Sequence, residues 1–198
     1  MPILIATDIH GITAELRSLL APLGRDAVFL SPWDTDACPY ANEQEAVSVF
    51  IAQNGIASYA EKIAATAGQE PVFLIGFSVG ATAAWVYAAQ HDCHPYSLAT
   101  LFYGSRIRDY SGLIPKIAVT AVFAEQEPSF LPAELAQAIA RDPVRASVEP
   151  GTLHGFMNPC SAHYAPAACA RYLQALIAES ARHHQLLGAT AGGIPKGR

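Results

Sequence analysis

Short apolar runs alternate with amphipathic stretches along this chain, and that alternation predicts strands and helices in turn. Ile3-Leu4-Ile5-Ala6 is a strand-sized run, after which Ile12, Leu16, Leu19, Leu20 and Leu23 recur on one helical face up to Gly24. Residues 27–30 read as a second strand and 31–42, with Pro32, Trp33, Pro39 and Tyr40, as a long loop. A helix opens at Glu43, carries Val47, Phe50 and Ile51, bends near Asn54-Gly55 and continues through Tyr59 and Ile63 to Gly68. Val72-Phe73-Leu74-Ile75 is a third strand, followed at once by a helix pattern with Ala81, Ala83, Ala84, Ala88 and Ala89. Residues 98–103, 117–124 and 145–149 supply three further strands, with a helix over 132–141 and a closing helix over 165–187 that carries Tyr172, Leu173, Leu176 and Ile177 on one side.

Six strands separated by helical crossovers imply a mostly parallel sheet with helices on both faces, an α/β three-layer sandwich whose ligands bind beyond the carboxyl ends of the strands. No repeat or second domain is visible, so 1–187 reads as a single domain. Residues 188–198 hold too little apolar material to pack and read as a flexible tail.

Composition narrows the function classes. With 198 residues, 52% of them apolar, the chain can bury one substantial core. A net charge of −5 without a dense basic cluster argues against nucleic acid or an anionic membrane surface as partner. The apolar N-terminal run reaches Asp8 too early for a signal-peptide core, so a cytoplasmic location is expected. Cys38, Cys93, Cys160 and Cys169 form no C-x-x-C pair and read as free thiols, mostly buried.

Candidate chemistry centres on Gly76-Phe77-Ser78-Val79-Gly80, a Gly-x-Ser-x-Gly between a strand and a helix. A serine on so sharp a turn is forced into a strained backbone conformation, and its flanks must be nearly free of side chain for strand and helix to close. The hydroxyl is thereby exposed at the sheet's carboxyl edge, beside unpaired helix N–H groups suited to an anionic intermediate. Ser78 is the expected nucleophile, and it needs a base and a group to orient that base. His154, in Gly151-Thr152-Leu153-His154-Gly155-Phe156, follows the last strand in a flexible loop and precedes the last helix, where it can reach back over the strand ends. Before it, Glu125-Gln126-Glu127-Pro128 brings carboxylates to the end of the fifth strand, one of which is expected to fix the histidine's tautomer.

This constellation resembles the dienelactone hydrolase family of α/β-hydrolases over nearly all of residues 3–187. Thr7-Asp8-Ile9-His10-Gly11 looks like the family's Glu-Ile-Phe-Gly segment, Gly76–Gly80 like its nucleophile elbow, His154-Gly155-Phe156 like its histidine loop, and Tyr103-Gly104 like a Tyr-Gly pair after the fourth strand. The resemblance implies an α/β-hydrolase that starts at the strand preceding the oxyanion loop, without the first strands of the larger hydrolase sheet and without a large cap. Its name-giving enzymes use cysteine, so Ser78 shifts the expectation towards ordinary esters, lactones or thioesters. The family's Gly-x-x-Asp position falls on Glu127, one methylene longer, and Glu125 stays open as the alternative acid. Asp8 matches a family glutamate that contacts the resting nucleophile, and equally suits a helix N-terminal acceptor.

The expected site is therefore Ser78, Glu127 and His154, with the backbone N–H groups of Ile9 and Val79 as oxyanion hole and Tyr103 and Phe156 against the substrate. Trp33 and Tyr40 sit on loops at the same edge and either line the site or pack, His10 lies beside the oxyanion loop as a spacer, and Arg106 and Arg108 either receive a substrate carboxylate or are solvated. No cofactor or metal is expected: His91-Asp92-Cys93-His94 falls at a helix end, where cations are favoured for their own sake, and His163, His183 and His184 read as polar surface. The expected partner is a small ester-type molecule. Against this enzyme stands a hydrolase-fold binding protein with an incomplete triad, a possibility the altered acid position keeps open.

Overall fold

The strands β1 (Ile3–Ala6), β3 (Phe73–Phe77) and β4 (Leu98–Phe102) are buried at every position, as runs of apolar residues covered on both faces by helices must be. They form the interior of a six-stranded sheet of order β2-β1-β3-β4-β5-β6, completed by β2 (Val28–Leu30), β5 (Ala118–Gln126) and β6 (Val144–Leu153). Every neighbouring pair is parallel. The computed structural model describes residues 1–191, with side chains through residue 187.

Helices α1 (Ala14–Leu20) and α6 (Pro166–Ala191) cover one face, where Leu16, Leu20, Cys169 and Leu176 meet Ile5, Phe77 and Phe102. Helices α2 (Glu43–Ala52), α3 (Gly55–Ala67), α4 (Val79–Gln90) and α5 (Pro132–Ile139) cover the other, packing Phe50, Ile63, Trp85 and Leu135 on Leu4, Leu74 and Leu101. Burying a side chain such as Leu or Phe in these layers contributes about 1.5–3 kcal/mol each. This is the three-layer α/β sandwich that the strand and helix pattern implies.

The chain leaves β1 towards β2 on one side, while β3 lies on the other side of β1. Such a reversal of direction opens a crevice at the carboxyl ends of the two strands. Residues 7–11 leave β1 into that crevice, and Ser78 leaves β3 into it.

Several elements differ from their sequence expectations. The long helix expected from Glu43 is not bent but broken, because Asn54 takes the left-handed conformation at φ 54° and separates α2 from α3. Gly55 permits the break: a Cβ there would lie 2.4 Å from the Phe50 ring. After α1, Pro22 sits in a short 3-10 turn, Ala21–Leu23, where the helix was expected to continue. Strand β6 runs four residues past its expected end, with a register irregularity between Ala124 and Gln126 after which Gln126 pairs with Leu153. His154 consequently follows directly on a hydrogen-bonded strand and not on a flexible loop. Helix α6 continues to Ala191, and the rest of the expected tail, 192–198, lies outside the described residues. Of the four free thiols only Cys169 is buried; Cys38 and Cys93 are half-buried and Cys160 is exposed. No helix among the described residues is long and apolar enough to cross a membrane.

Candidate active site

Ser78 occupies φ 51°, ψ −113°, a combination that a residue with a side chain adopts only when its surroundings enforce it. Three contacts do so. Its N–H donates to the Phe102 carbonyl at 3.0 Å, its own carbonyl accepts from Thr82 N–H at 3.0 Å, and the neighbouring backbone is packed too tightly for any β-carbon. A Cβ on Gly80 would lie 2.3 Å from the Ala6 carbonyl oxygen, and one on Gly76 2.7 Å from Ala81 Cα. The two glycines of the motif thus allow β1, β3 and α4 to converge under the serine.

The Ser78 Oγ lies 2.9 Å from His154 Nε2, and His154 Nδ1 lies 2.8 Å from Glu127 Oε1. An ionised carboxylate only accepts hydrogen bonds, so Nδ1 carries the proton and Nε2 is left with its lone pair facing the hydroxyl. The Glu127 side chain is 4% exposed, which keeps its charge on the imidazole instead of in water. Glu125, the alternative acid, is still within β5 and accepts from the Gly151 N–H at 2.8 Å, steadying a turn in which Gly151 has φ 71°. The choice between the two glutamates is therefore made by where β5 ends.

Val79 is the first residue of α4, so its N–H has no partner one turn earlier in the helix. Ile9, on the segment leaving β1, has its carbonyl held at 2.8 Å by the Trp33 indole N–H. Both residues border a hollow of about 210 Å³ beside Ser78. Trp33 itself is buried and packs on Tyr40 and Phe50, so neither Trp33 nor Tyr40 lines the site; Trp33 anchors the Ile9 segment instead.

Tyr103 and Phe156 part company. Tyr103, at φ 40°, borders a hollow of about 390 Å³ that also contains Ser78 and His154, and its ring meets the imidazole edge-on at 5.0 Å. Its hydroxyl is buried without a hydrogen-bond partner among the described residues, and burial pushes the phenol well above its usual range. Phe156 is wholly buried among Phe102, Tyr103 and Tyr172 and does not border either hollow, which corrects the expectation of a substrate contact: the aromatic cluster of the core takes its ring.

Arg106 and Arg108 border the smaller hollow, each close to Asp109, with Arg108 also over the Phe130 ring. His10 borders the larger one and faces Glu43 at 3.5 Å. The His91 to His94 cluster disperses: His91 lies against Tyr87 and Glu61, Cys93 Sγ points to the Tyr87 carbonyl, and His94 accepts from the Tyr96 N–H. The larger hollow is also lined by Asn158, Ser161 and Ala162, which the sequence does not single out, and by Glu43, Cys160 and His163, which it suggests only as a helix start, a free thiol and polar surface. His163 holds the His154 carbonyl through Nδ1 at 3.1 Å, and Asn158 reaches Asp8. Asp8 does not contact Ser78 through any hydrogen bond; its carboxylate accepts from the His10 N–H and from Asn158. A larger hollow of about 500 Å³, between the N-terminus and α6, holds none of these groups.

Residues 42–179, from the start of α2 to well into α6, match the model of the dienelactone hydrolase family. The chain belongs to that family. The Bacillus subtilis (strain 168) protein YczH, itself uncharacterised, is 30% identical over 180 residues, covering 82% of this chain and 83% of its own. Among solved structures, a Klebsiella pneumoniae protein provisionally named a dienelactone hydrolase superposes with a TM-score of 0.63 at 18% identity, covering 91% of this chain and 86% of that one. A structure named m3DLH superposes at 0.62 and 16% identity, covering 90% and 86%. At these identities the structural likenesses carry the α/β-hydrolase fold, and the family match carries hydrolase activity.

Proposed function

We propose that this dienelactone hydrolase family member is a serine hydrolase of small carboxylic esters, lactones or thioesters, working through an acyl-enzyme on Ser78. The observation that carries the reading is the continuous line of contacts from Ser78 Oγ through His154 to Glu127, at 2.9 and 2.8 Å. His154 Nε2 takes the hydroxyl proton as Oγ attacks the carbonyl carbon, and Glu127 stabilises the imidazolium that forms. The N–H groups of Ile9 and Val79 receive the oxyanion. The tetrahedral intermediate then collapses as His154 gives its proton to the departing alcohol or thiol, leaving an ester on Ser78. Water enters on the vacated side and loses its proton to His154 as it attacks. The second tetrahedral intermediate collapses as His154 returns that proton to Ser78 Oγ, breaking the acyl–oxygen bond and releasing the acid. Beyond the attacking water, the steps proposed use only the chain's own residues, and the substrate is a free small molecule, with nucleic acid and membrane outside the proposal. Four cysteines without a disulfide fit a reducing compartment, and we place the reaction in the cytoplasm.

The experiment is hydrolysis of a panel of nitrophenyl esters, lactones and acyl thioesters by wild type and Ser78→Ala. Loss of the nucleophile should lower kcat by roughly 10⁴-fold or more, with the melting temperature little changed because alanine keeps the β-carbon and fits the same backbone conformation. Turnover retained by the alanine variant would exclude the acyl-enzyme.

A further inference from the structure

The loop that carries the base is tied to the loop that carries one oxyanion donor by a single buried pair. Asn158 Nδ2 donates to Asp8 Oδ2 at 2.6 Å, across 150 residues of chain, and the two residues are 2% and 5% exposed. Each partner is also fixed within its own loop. Asp8 Oδ1 accepts from the His10 N–H at 3.0 Å and the Asp8 carbonyl accepts from Gly11 N–H, so the carboxylate shapes the turn that presents Ile9. Asn158 Oδ1 accepts from the Cys160 N–H at 2.8 Å, and its own N–H donates to the carbonyl of Gly155, the residue after the base.

Resting on the serine hydrolase reading, we propose that Asp8 and Asn158 are positioning residues: their hydrogen bond clamps the histidine loop to the oxyanion loop and keeps His154 in line with Ser78. Neither need touch the substrate to act. A buried carboxylate with both oxygens occupied is costly unless the donors stay in place, so the pair resists any separation of the two loops. The titratable groups near enough to act electrostatically on Asp8 are His10, His154, Tyr59, Tyr103 and Cys160, and no side chain among them donates a hydrogen bond to its carboxylate in place of the amide.

The donor and acceptor pattern makes the clamp reversible on paper, and this supplies its test. Asp8→Asn sets an amide nitrogen against the Asn158 amide nitrogen, two donors facing. Asn158→Asp sets two carboxylates together, which hold only while they share a proton. The double swap Asp8→Asn/Asn158→Asp restores every partner with the central bond reversed: the amide oxygen at position 8 accepts from His10 N–H, its nitrogen donates across, and the carboxylate at position 158 also accepts from Cys160 N–H.

The measurements are kcat/KM on the best ester of the panel and the downfield proton resonance of the His154 Nδ1–H bonded to Glu127. Each single variant should lose roughly 10- to 100-fold in kcat/KM, mostly in kcat, with the resonance broadened or displaced. Asn158→Asp should lose progressively more as pH rises and the shared proton leaves. The double swap should recover the resonance and come within about threefold of wild type, a difference well under 1 kcal/mol. Single variants that keep the wild-type rate and resonance overturn the proposal, as does a swap as impaired as its parents. If both single variants fail to fold, the swap decides alone: folded with the resonance it supports the clamp, unfolded or without the resonance it overturns it. Should wild type hydrolyse nothing in the panel, the serine hydrolase reading falls while the resonance still decides on the clamp.

Discussion

Two glutamates two residues apart have opposite fates, and the distinction rests on one hydrogen bond each. Glu127 meets His154 Nδ1, while Glu125 meets a backbone N–H on β6. Glu127→Gln keeps the size but offers the imidazole an amide, which favours the wrong tautomer and removes the charge that stabilises the imidazolium, so kcat should fall by roughly 10²- to 10⁴-fold. Glu125→Gln retains an acceptor for Gly151 and should stay within a few-fold of wild type. Steady-state kinetics of the two variants side by side is the check. Asp8 gives a second expectation at this scale. Burial raises its pKa above the usual 3.8, against the lowering influence of His10 and the Asn158 hydrogen bond. A carboxyl whose folded-state pKa is raised holds its proton more tightly in the folded protein. The stability this contributes is complete below 3.8 and is lost as pH climbs through the raised value. The melting temperature of wild type minus that of Asp8→Asn should therefore decline from acid towards neutral pH, and a difference independent of pH would contradict this.

At the scale of elements, what could be read in advance was what is local. The strand, Gly-x-Ser-x-Gly and alanine-rich helix announce themselves within residues 72–89, because the turn's demand for small flanks at Gly76 and Gly80 is written in the motif itself. Six strands and their parallel arrangement followed from apolar runs spaced by helices. The true end of β6 did not, since Pro150-Gly151 reads as a stop and the pairing of Leu153 with Gln126 depends on a strand far away in sequence. That pairing is what places His154 firmly. The break at Asn54 turns on one residue's φ and on a glycine facing Phe50, which periodicity does not report. Asn158 was invisible for a similar reason: an asparagine in a loop has a hundred innocent explanations, and only the fold brings it to Asp8. Phe156 goes to the core and not to the site, because closeness to His154 in sequence says nothing about direction.

Across the whole molecule, the sheet serves as a platform whose carboxyl edge gathers residues from β1, β3, β5 and β6 into one crevice. The hollows beside Ser78 measure about 390 and 210 Å³, the first at the lower end of the range for small-molecule sites and the second below it, and each contains Ser78 and His154. Among the described residues no cap encloses a long chain, so further methylenes beyond a short acyl group gain little burial. Specificity should accordingly peak at short acyl esters, with kcat/KM on a nitrophenyl ester series flat or falling beyond about six carbons. A steady rise towards long-chain esters would mean that an unrecognised apolar surface takes the chain.

The proposed hydrolysis requires that the Ser78 hydroxyl be an activated nucleophile in the folded protein. Intact-mass analysis after exposure to a fluorophosphonate, with peptide mapping of the adduct, reads this directly. One adduct per chain on Ser78, formed rapidly in wild type and at most slowly in His154→Ala, is the expected outcome. An unlabelled wild-type protein, or an adduct on any other residue, would contradict it.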